Sequence, residues 1–220
     1  MITDIRIQTF IESLDKGNTP FLEELEKWAH ENDIPIIKRP AQSLLKFYLA
    51  QTKPANVLEI GCAVGFSAIL MATYGPKDMK ITTVENYEKR IPIARENFKK
   101  SGYEDRIDLR FMDAMELLKE LAEDNKRYDM IFIDAAKAQY IRYLPYAKQM
   151  LNDGGLLISD NVLQDGDIVQ SRFAVTRRNR TIHSRMREYL KALSDDEELS
   201  TMILPIADGM TVSVKTKSTV

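Results

Sequence analysis

Two aspartates stand directly after strongly apolar runs of the chain. Asp134 ends the run YDMIFID, and Asp160 ends the run GLLISD, with Asn161 next to it. If the two runs are neighbouring strands, the carboxylates repel each other, so that either one pKa rises or a cation binds between them. Together with the amide oxygen of Asn161 they form an all-oxygen set that suits Mg²⁺, with Mn²⁺ or Ca²⁺ as alternatives. The other interpretation is two acids that cap helices and hold no metal.

Lys137 follows Asp134 by three residues and is expected to begin the next helix, pointing back toward the same site. Near a metal, in a partly closed pocket, its amine can accept a proton from a reacting hydroxyl. The alternative is an ordinary lysine exposed at the surface.

A glycine-containing turn follows an earlier apolar run, in VLEIGCAVGFS at residues 57–67. Gly61 and Gly65 allow a sharp bend and a close approach to a ligand, while Glu59 offers an acceptor for a cation or hydroxyl. The segment is neither GxGxxG nor a P-loop, which disfavours a triphosphate site. Glu85 ends the next run, ITTVE, at about the distance from Gly61 where an acid reaches a ribose diol. The alternative is a turn without a ligand.

A further run, RFMDA, ends at Asp113 and Ala114. Asp113 is expected to N-cap the helix that begins AMELLKEL, a role that is compatible with ligand contact.

The apolar runs alternate with helix-like stretches from residue 56 onward, in the order NVLEIG, KITTVE, IDLRFMD, YDMIFID and GLLISD. This alternation predicts an α/β fold, a doubly wound and mostly parallel sheet with helices on both faces. Ligands bind such sheets beyond the carboxyl ends of the strands. The last two runs, TMILPIA and MTVSVK, flank Asp208-Gly209, which favours a tight antiparallel hairpin at the end of the sheet.

The length of 220 residues favours a single domain, 1–220, in which a helical cap (1–52) precedes a Rossmann-like core (53–220). Helices are predicted at 4–14, 20–31 and 40–52, with Thr19 as an N-cap and Pro20 at the first helical position. These helices are amphipathic and could pair subunits, so we expect a homodimer.

Composition and sequence pattern argue against a strongly basic protein, a disulfide-stabilised protein and a membrane-spanning protein. Lys and Arg number 31 against 33 Asp and Glu, so a nucleic-acid partner requires a local basic patch rather than overall positive charge. The single cysteine, Cys62, cannot form an intrachain disulfide, which fits a reducing compartment. The start has no signal-peptide pattern, and no apolar run is long enough to span a membrane. We therefore expect a cytoplasmic protein without a membrane partner.

Taken together, VLEIGCAVGFS, TVEN, MDA, FIDAAK and SDN, in this order and spacing, resemble the class I S-adenosylmethionine-dependent, metal-dependent O-methyltransferases of the catechol and caffeoyl-CoA type. The resemblance covers about residues 35–216 and implies a seven-stranded class I methyltransferase fold. It also implies in-line transfer of a methyl group from the sulfonium to a hydroxyl oxygen.

The resemblance assigns roles to individual residues. The methionine moiety would be held by Glu59, Gly61 and Ser67, the ribose hydroxyls by Glu85, and the adenine by Asp113 and Ala114, while Ile37 would lie where the entrance segment closes over the cofactor. The metal would be bound by Asp134, Asp160 and Asn161. Lys137 would act as the base, with Asp134 contributing to catalysis and touching the cofactor.

Within this family, IFIDAAKAQY, SDNVL and the arginine-rich stretch after them look most like the bacterial branch that methylates 5-hydroxyuridine at the wobble position of tRNA. The stretch 171–187 contains no acid, and its arginines are Arg172, Arg177, Arg178, Arg180, Arg185 and Arg187. The first five are candidates for contact with tRNA phosphates. The alternatives are a solvated helix face balanced by the downstream acids of SDDEE, or recognition of coenzyme A phosphates.

Three rival functions remain at this point. A small-molecule catechol or caffeoyl-CoA type O-methyltransferase differs only in the acceptor. An NAD-dependent oxidoreductase accounts for Gly61 and Glu85 but leaves Asp134 and Asp160 without a task. A non-catalytic RNA-binding module accounts only for the arginines.

Overall fold

The structure is a computed structural model that describes residues 4–216, apart from the side chains at positions 5, 8 and 165. In this part of the chain, seven strands form one sheet in the order β3-β2-β1-β4-β5-β7-β6. The strands are β1 (Asn56–Ile60), β2 (Lys80–Glu85), β3 (Ile107–Phe111), β4 (Tyr128–Ile133), β5 (Leu151–Ser159), β6 (Leu199–Leu204) and β7 (Met210–Lys215). The first five are parallel, and β7 pairs antiparallel with both β5 and β6. This confirms the predicted fold class.

Eight α-helices accompany the sheet in the described chain. They are α1 (Ile5–Ser13), α2 (Pro20–Glu31), α3 (Arg39–Thr52), α4 (Phe66–Tyr74), α5 (Ile91–Ser101), α6 (Ala114–Glu123), α7 (Tyr140–Met150) and α8 (Arg180–Asp195). None of these helices is long and apolar enough to cross a membrane.

Each face of the sheet has its own apolar core, because successive side chains of a strand point to opposite faces. On one face, Val57 of β1 packs in a cluster with apolar residues of α2, α3, α4 and α5. On the other face, the next residue, Leu58, packs with α6, α7 and α8. The central strands are buried on both sides, so their sequences are apolar almost throughout.

The N-terminal helices begin and end close to their predicted positions. Helix α2 starts at Pro20 after Thr19, as predicted, although the Thr19 side chain makes no capping hydrogen bond. Leu22 of α2 and Leu45 of α3 are fully buried and belong to the same core cluster as the sheet. Helices α2 and α3 are therefore a layer of the core.

Two strand predictions need correction. Strand β5 begins at Leu151, four residues before the predicted start, and β6 runs from Leu199 only to Leu204. The predicted antiparallel hairpin of β6 and β7 is confirmed, but its connection is longer than the tight turn expected at Asp208-Gly209, because five residues, 205–209, join the two strands. This connection is held from outside the hairpin, since the backbone N–H groups of Val162 and Leu163 donate to the carbonyls of Gly209 and Asp208.

Candidate active site

A cavity of about 550 Å³ opens at the carboxyl ends of the parallel strands. Its walls come from the turns after β1, β2, β3 and β4, and the entrance segment 35–37 closes one side. The cavity is large enough for a nucleoside-sized cofactor. Side chains that are distant in sequence meet here because parallel strands end at the same edge of the sheet.

Asp134, Asp160 and Asn161 meet beside this cavity because β4 and β5 are neighbours. The Asn161 side-chain amide donates to Oδ1 of Asp134 over 3.0 Å. The Asn161 backbone N–H donates to Oδ1 of Asp160 over 2.7 Å. Asn161 has a φ of 63°, the left-handed conformation that asparagine tolerates better than most residues. The local backbone therefore holds the three side chains together.

The two carboxyl groups have perturbed acidity. Burial, together with the neighbouring Asp134, raises the pKa of Asp160 to about 7. Burial also raises the pKa of Asp134, opposed by the hydrogen bond from Asn161 and by the positive charge of Lys137. Because two buried carboxylates this close resist ionising together, the pair favours a bound cation.

The oxygen atoms of this group fit a hard divalent cation. Two carboxylates converge, and the Asn161 amide uses its nitrogen toward Asp134, which leaves the amide oxygen for a metal. Among the described residues, no cluster of three or more His, Cys, Asp or Glu side chains could hold a metal ion. The predicted set thus has only two carboxylates, and a bound Mg²⁺ would take its further ligands from water or substrate.

Tyr140 fixes the ends of β4 and β5 relative to each other. Its buried hydroxyl donates to the Asp160 carbonyl over 3.1 Å and accepts from the Ala135 N–H at 3.2 Å. The ring packs edge-on against Tyr189, with 5.5 Å between centroids. This contact holds the two carboxylate-bearing turns in register.

Gly61 and Gly65, in the turn after β1, both have a positive φ, and at both positions a Cβ atom would collide with neighbouring atoms. A Cβ on Gly61, which has a φ of +104°, would lie 2.0 Å from the Asp134 carbonyl oxygen. A Cβ on Gly65 would lie 2.4 Å from the ring of Phe98. Gly61 therefore lets the turn after β1 pass directly against the backbone of Asp134.

Glu59 lies beneath this turn and does not line the cavity. It is fully buried, and its two carboxylate oxygens accept hydrogen bonds from the hydroxyls of Ser67 and Thr83, each over 2.5 Å. Burial raises the pKa of Glu59 to about 7. Ser67 does line the cavity, so Glu59 reaches the site through that hydroxyl.

Glu85 lies on the cavity wall at the end of β2. Its Oε2 accepts from the Ala63 N–H over 2.8 Å, and its Oε1 accepts from the N–H groups of Asn86 and Tyr87. The same carboxylate that faces the cavity thus also fixes the glycine-containing turn.

Asp113 caps α6, as predicted, by accepting from the Met115 N–H over 2.8 Å, and it also lines the cavity. The structure brings most of the predicted site residues to this one cavity. Those on its wall are Ile37, Gly61, Ser67, Glu85, Asp113, Ala114, Asp134, Lys137 and Asn161.

The arginine-rich stretch divides into two groups. Arg180 donates to the Val175 carbonyl, and Arg185 donates to the Ala138 carbonyl over 3.1 Å, so these two arginines brace the chain locally. The other three predicted RNA contacts are exposed and form no ion pair within the described chain. They are Arg172, Arg177 and Arg178.

Three acids of the SDDEE segment pair with lysines in the described chain. Asp196 and Glu198 each lie 2.8 Å from the amine of Lys148, and Asp195 lies 2.7 Å from that of Lys191. These three acids therefore do not form ion pairs with the exposed arginines, and a solvated basic face stays an alternative.

Asp208 is the residue near the site that the sequence interpretation missed. Its charge helps to raise the pKa of both Asp134 and Asp160, and its carboxylate pairs with Lys38 over 2.5 Å. From sequence, the dipeptide Asp208-Gly209 predicted only a turn. Its position near the site depends on the antiparallel pairing of β7 with β5, which brings the loop before β7 next to the end of β5.

Comparison with known proteins gives the family. A family model described as O-methyltransferase matches residues 12–216. Caffeoyl-CoA O-methyltransferase 1 of Eucalyptus globulus is 34% identical over 175 residues, which are 76% of this chain and 70% of that protein. A catechol O-methyltransferase of Niastella koreensis is 35% identical over 142 residues, which are 63% of this chain and 64% of that protein.

Solved structures agree with these matches. A putative caffeoyl-CoA O-methyltransferase from Staphylococcus aureus superposes with a TM-score of 0.87 at 31% identity, covering 96% of this chain and 100% of that one. A methyltransferase of Podospora anserina, bound to S-adenosylhomocysteine, has a TM-score of 0.85 at 26% identity and covers 96% and 94% of the two chains. The matches rule out the oxidoreductase and the non-catalytic alternatives. The chain belongs to the O-methyltransferase family, in its caffeoyl-CoA and catechol type, and is an S-adenosylmethionine-dependent enzyme.

Proposed function

We propose that this enzyme methylates a hydroxyl of a small aromatic acceptor that carries two adjacent hydroxyls, with help from a divalent cation. The observation that carries the proposal is the pair of carboxylates, Asp134 and Asp160, held with Asn161 next to the cofactor-sized cavity. Neighbouring hydroxyls suit such a site because both oxygens can approach one cation. The names of the relatives, which refer to caffeoyl-CoA and catechol, support this acceptor class.

The residues on the cavity wall are arranged to bind and orient the cofactor. Glu85 presents acceptor oxygens for a ribose diol, while Asp113 and Ala114 lie at the entrance to α6, where an adenine would be held. Ser67, oriented by Glu59, would contact the methionine part. This arrangement fixes the position of the sulfonium, and holding the two reactants in line supplies much of the rate enhancement.

Asp134, Asp160 and Asn161 would hold the cation. A divalent cation, when bound, lowers the pKa of an acceptor hydroxyl and fixes its oxygen. Lys137 lines the cavity three residues after Asp134, close enough for its charge to influence that carboxylate. We propose that Lys137, in its neutral amine form, takes up the proton that leaves the acceptor hydroxyl and becomes the ammonium ion. No covalent intermediate with the protein is required.

The tRNA acceptor is a second candidate, favoured by one observation. Arg172, Arg177 and Arg178 are exposed without ion pairs in the described chain, so their charge is available to phosphates. The same three residues would serve the phosphates of a coenzyme A thioester equally well. Because the relatives are named for small acceptors, we place RNA second.

A panel of acceptors tests the proposal. The enzyme is incubated with methyl-labelled S-adenosylmethionine and Mg²⁺, and separately with catechol, caffeoyl-CoA, or bulk tRNA from a strain lacking this enzyme. We expect a labelled methoxyphenol from one of the two small acceptors. Label found only in methoxyuridine after digestion of the tRNA would overturn the small-molecule proposal in favour of the second candidate. Label in no acceptor would contradict both.

A further inference from the structure

A second cavity, of about 580 Å³, lies between the chain that follows β5 and the first turns of α8. Residues 169–172 form one side of its wall, and His183, Ser184 and Arg187 of α8 form the other. It shares no wall residue with the cofactor-sized cavity at the ends of the parallel strands. We call it the α8 cavity, and it lies outside the site proposed for methyl transfer.

His183 has a buried ring nitrogen that lacks a partner. The residue is only 2% exposed, and its Nε2 lies 3.1 Å from the carbonyl oxygen of Gln170. Because a carbonyl oxygen only accepts, Nε2 must carry the hydrogen of this bond. The other nitrogen, Nδ1, has no hydrogen-bond partner within the described chain. Buried polar atoms are almost always paired, so an unpaired nitrogen in the wall of a cavity indicates a ligand.

The wall of the α8 cavity is positively charged. Arg172 and Arg187 both line it, and neither forms an ion pair within the described part of the chain. Arg187 donates to the Ile168 carbonyl over 2.8 Å, which holds its guanidinium at the wall and leaves other N–H groups available. None of the described wall residues is Asp or Glu. The charge of the cavity therefore matches an anion.

The donors of the wall suit a phosphate better than a carboxylate. Ser171 and Ser184 add two hydroxyls to the two guanidinium groups, and His183 in its imidazolium form adds Nδ1–H. The Ser171 hydroxyl oxygen accepts from the Phe173 N–H, so its own hydrogen remains for a ligand. A carboxylate offers only two oxygens to these donors, whereas a phosphate offers at least three, and guanidinium groups match phosphate oxygens in pairs.

We propose that the α8 cavity binds one phosphate dianion, either free or as the monoester of a small molecule. A monoester is included because a free phosphate fills only part of this volume, and because Val169 gives the wall an apolar part. The bound group would tie residues 171 and 172 to α8. The proposal does not depend on the identity of the methyl acceptor, since the two cavities share no wall residue.

Calorimetric titration of the full chain with inorganic phosphate, at constant ionic strength, tests the site. Arg172→Gln and His183→Gln should each weaken phosphate binding by about tenfold or more, the usual loss for one hydrogen bond to a charged group. The amide of H183Q can still donate to the Gln170 carbonyl but places no atom at Nδ1. Arg178→Gln is the matched control, because it removes the same charge from an exposed arginine outside the wall. We expect R178Q to bind phosphate as the wild type does.

Imidazole ¹⁵N NMR of the wild type needs no variant and so avoids any effect on folding. The chain has two histidines, and His30 lies on α2, away from the α8 cavity. Phosphate should shift the ring signals of His183 and leave those of His30 unchanged. The absence of saturable phosphate binding, an unmoved His183 signal, or equal weakening by R172Q and R178Q would each overturn the proposal.

Two esters identify the source of the phosphate. Tighter binding of methyl phosphate than of inorganic phosphate would assign the site to a monoester, and the reverse order would assign it to free phosphate. Either order supports the proposal. Dimethyl phosphate that binds as tightly as these dianions would overturn it, because the site would then recognise a phosphodiester, as in a nucleic-acid backbone.

Discussion

Asn161 donates its side-chain amide to Oδ1 of Asp134 over 3.0 Å, across the ends of two neighbouring parallel strands. This hydrogen bond orients one carboxylate of the proposed cation site and leaves the other oxygen of Asp134 available to a metal. The amide oxygen of Asn161 takes no part in this hydrogen bond. Asn161 is therefore an orienting donor in this structure, and in the proposed function it would also be a ligand of the cation.

The first prediction removes this relationship. Asn161→Ala should lower the methyl-transfer rate and raise the Mg²⁺ concentration needed for half the maximal rate, by about 10- to 100-fold, as is usual when support for a metal ligand is lost. Asn152→Ala is the matched control, because the Asn152 amide donates over 2.8 Å to Asp129, near the opposite end of the same two strands. A Mg²⁺ titration of activity that is equal for N161A and N152A would exclude Asn161 from the site.

The second prediction concerns the proposed base. Lys137→Gln should slow methyl transfer by about 10²- to 10⁴-fold, the range for loss of a general base, with little change in affinity for S-adenosylmethionine. Lys137→Arg keeps a positive charge beside Asp134 but cannot take up a proton near neutral pH. If Lys137 acts only through its charge, the arginine variant would retain most of the rate, and single-turnover kinetics would show this.

Glu85 is tested by cofactor binding alone. Glu85→Ala should weaken S-adenosylmethionine by about 1.5–3 kcal/mol, because a hydrogen bond to a charged group is lost. Glu88→Ala is the control, since Glu88 is exposed three residues later and does not line the cavity. Calorimetry that gives the same dissociation constant for E85A and the wild type would remove Glu85 from the ribose site.

Glu59 predicts a pH dependence of stability. The pKa of this carboxyl is about 7 in the fold, against about 4.5 when unfolded, so between these values the folded chain holds a proton that the unfolded chain has lost. The free energy of unfolding must then fall as pH rises through this window, by about 3 kcal/mol in total from this one group.

Glu59→Gln should remove this contribution. Relative to the wild type, the variant should gain about 3 kcal/mol in unfolding free energy between pH 4 and pH 8, measured by urea denaturation without metal. Glu104→Gln, at an exposed position, should follow the wild-type curve. Parallel curves for the wild type and E59Q would mean that Glu59 ionises normally in the fold.

The mostly parallel sheet was predictable from sequence, and so was the meeting of Asp134 with Asp160 on the condition that their strands are neighbours, which the pairing of β4 with β5 confirms. Strands buried on both faces are apolar throughout, so their ends are marked by the first polar residue, and parallel strands bring those ends to one edge. The burial of Glu59 was not predictable, because the sequence does not show that Ser67 and Thr83 occupy both of its oxygens.

The position of Asp208 was also hidden from sequence. The five-residue connection between β6 and β7 bonds to the segment after β5, and this contact brings Asp208 toward carboxylates that are more than 40 residues earlier. Dipeptide preferences describe the local turn, whereas the placement of that turn depends on which strand β7 pairs with.

In the proposed function, Asp134, Asp160 and Asn161 hold a divalent cation on which methyl transfer depends. This dependence is tested by transfer of labelled methyl from S-adenosylmethionine to the accepted catechol-type substrate, after chelation and after Mg²⁺ is restored, by the wild type and by Asp160→Asn. Chelation should abolish transfer by the wild type, and Mg²⁺ should restore it. The D160N variant should bind the cofactor normally but stay inactive at Mg²⁺ concentrations that saturate the wild type. Full transfer by the wild type in excess chelator, or Mg²⁺-dependent transfer by D160N equal to that of the wild type, would contradict a role for the cation at this site.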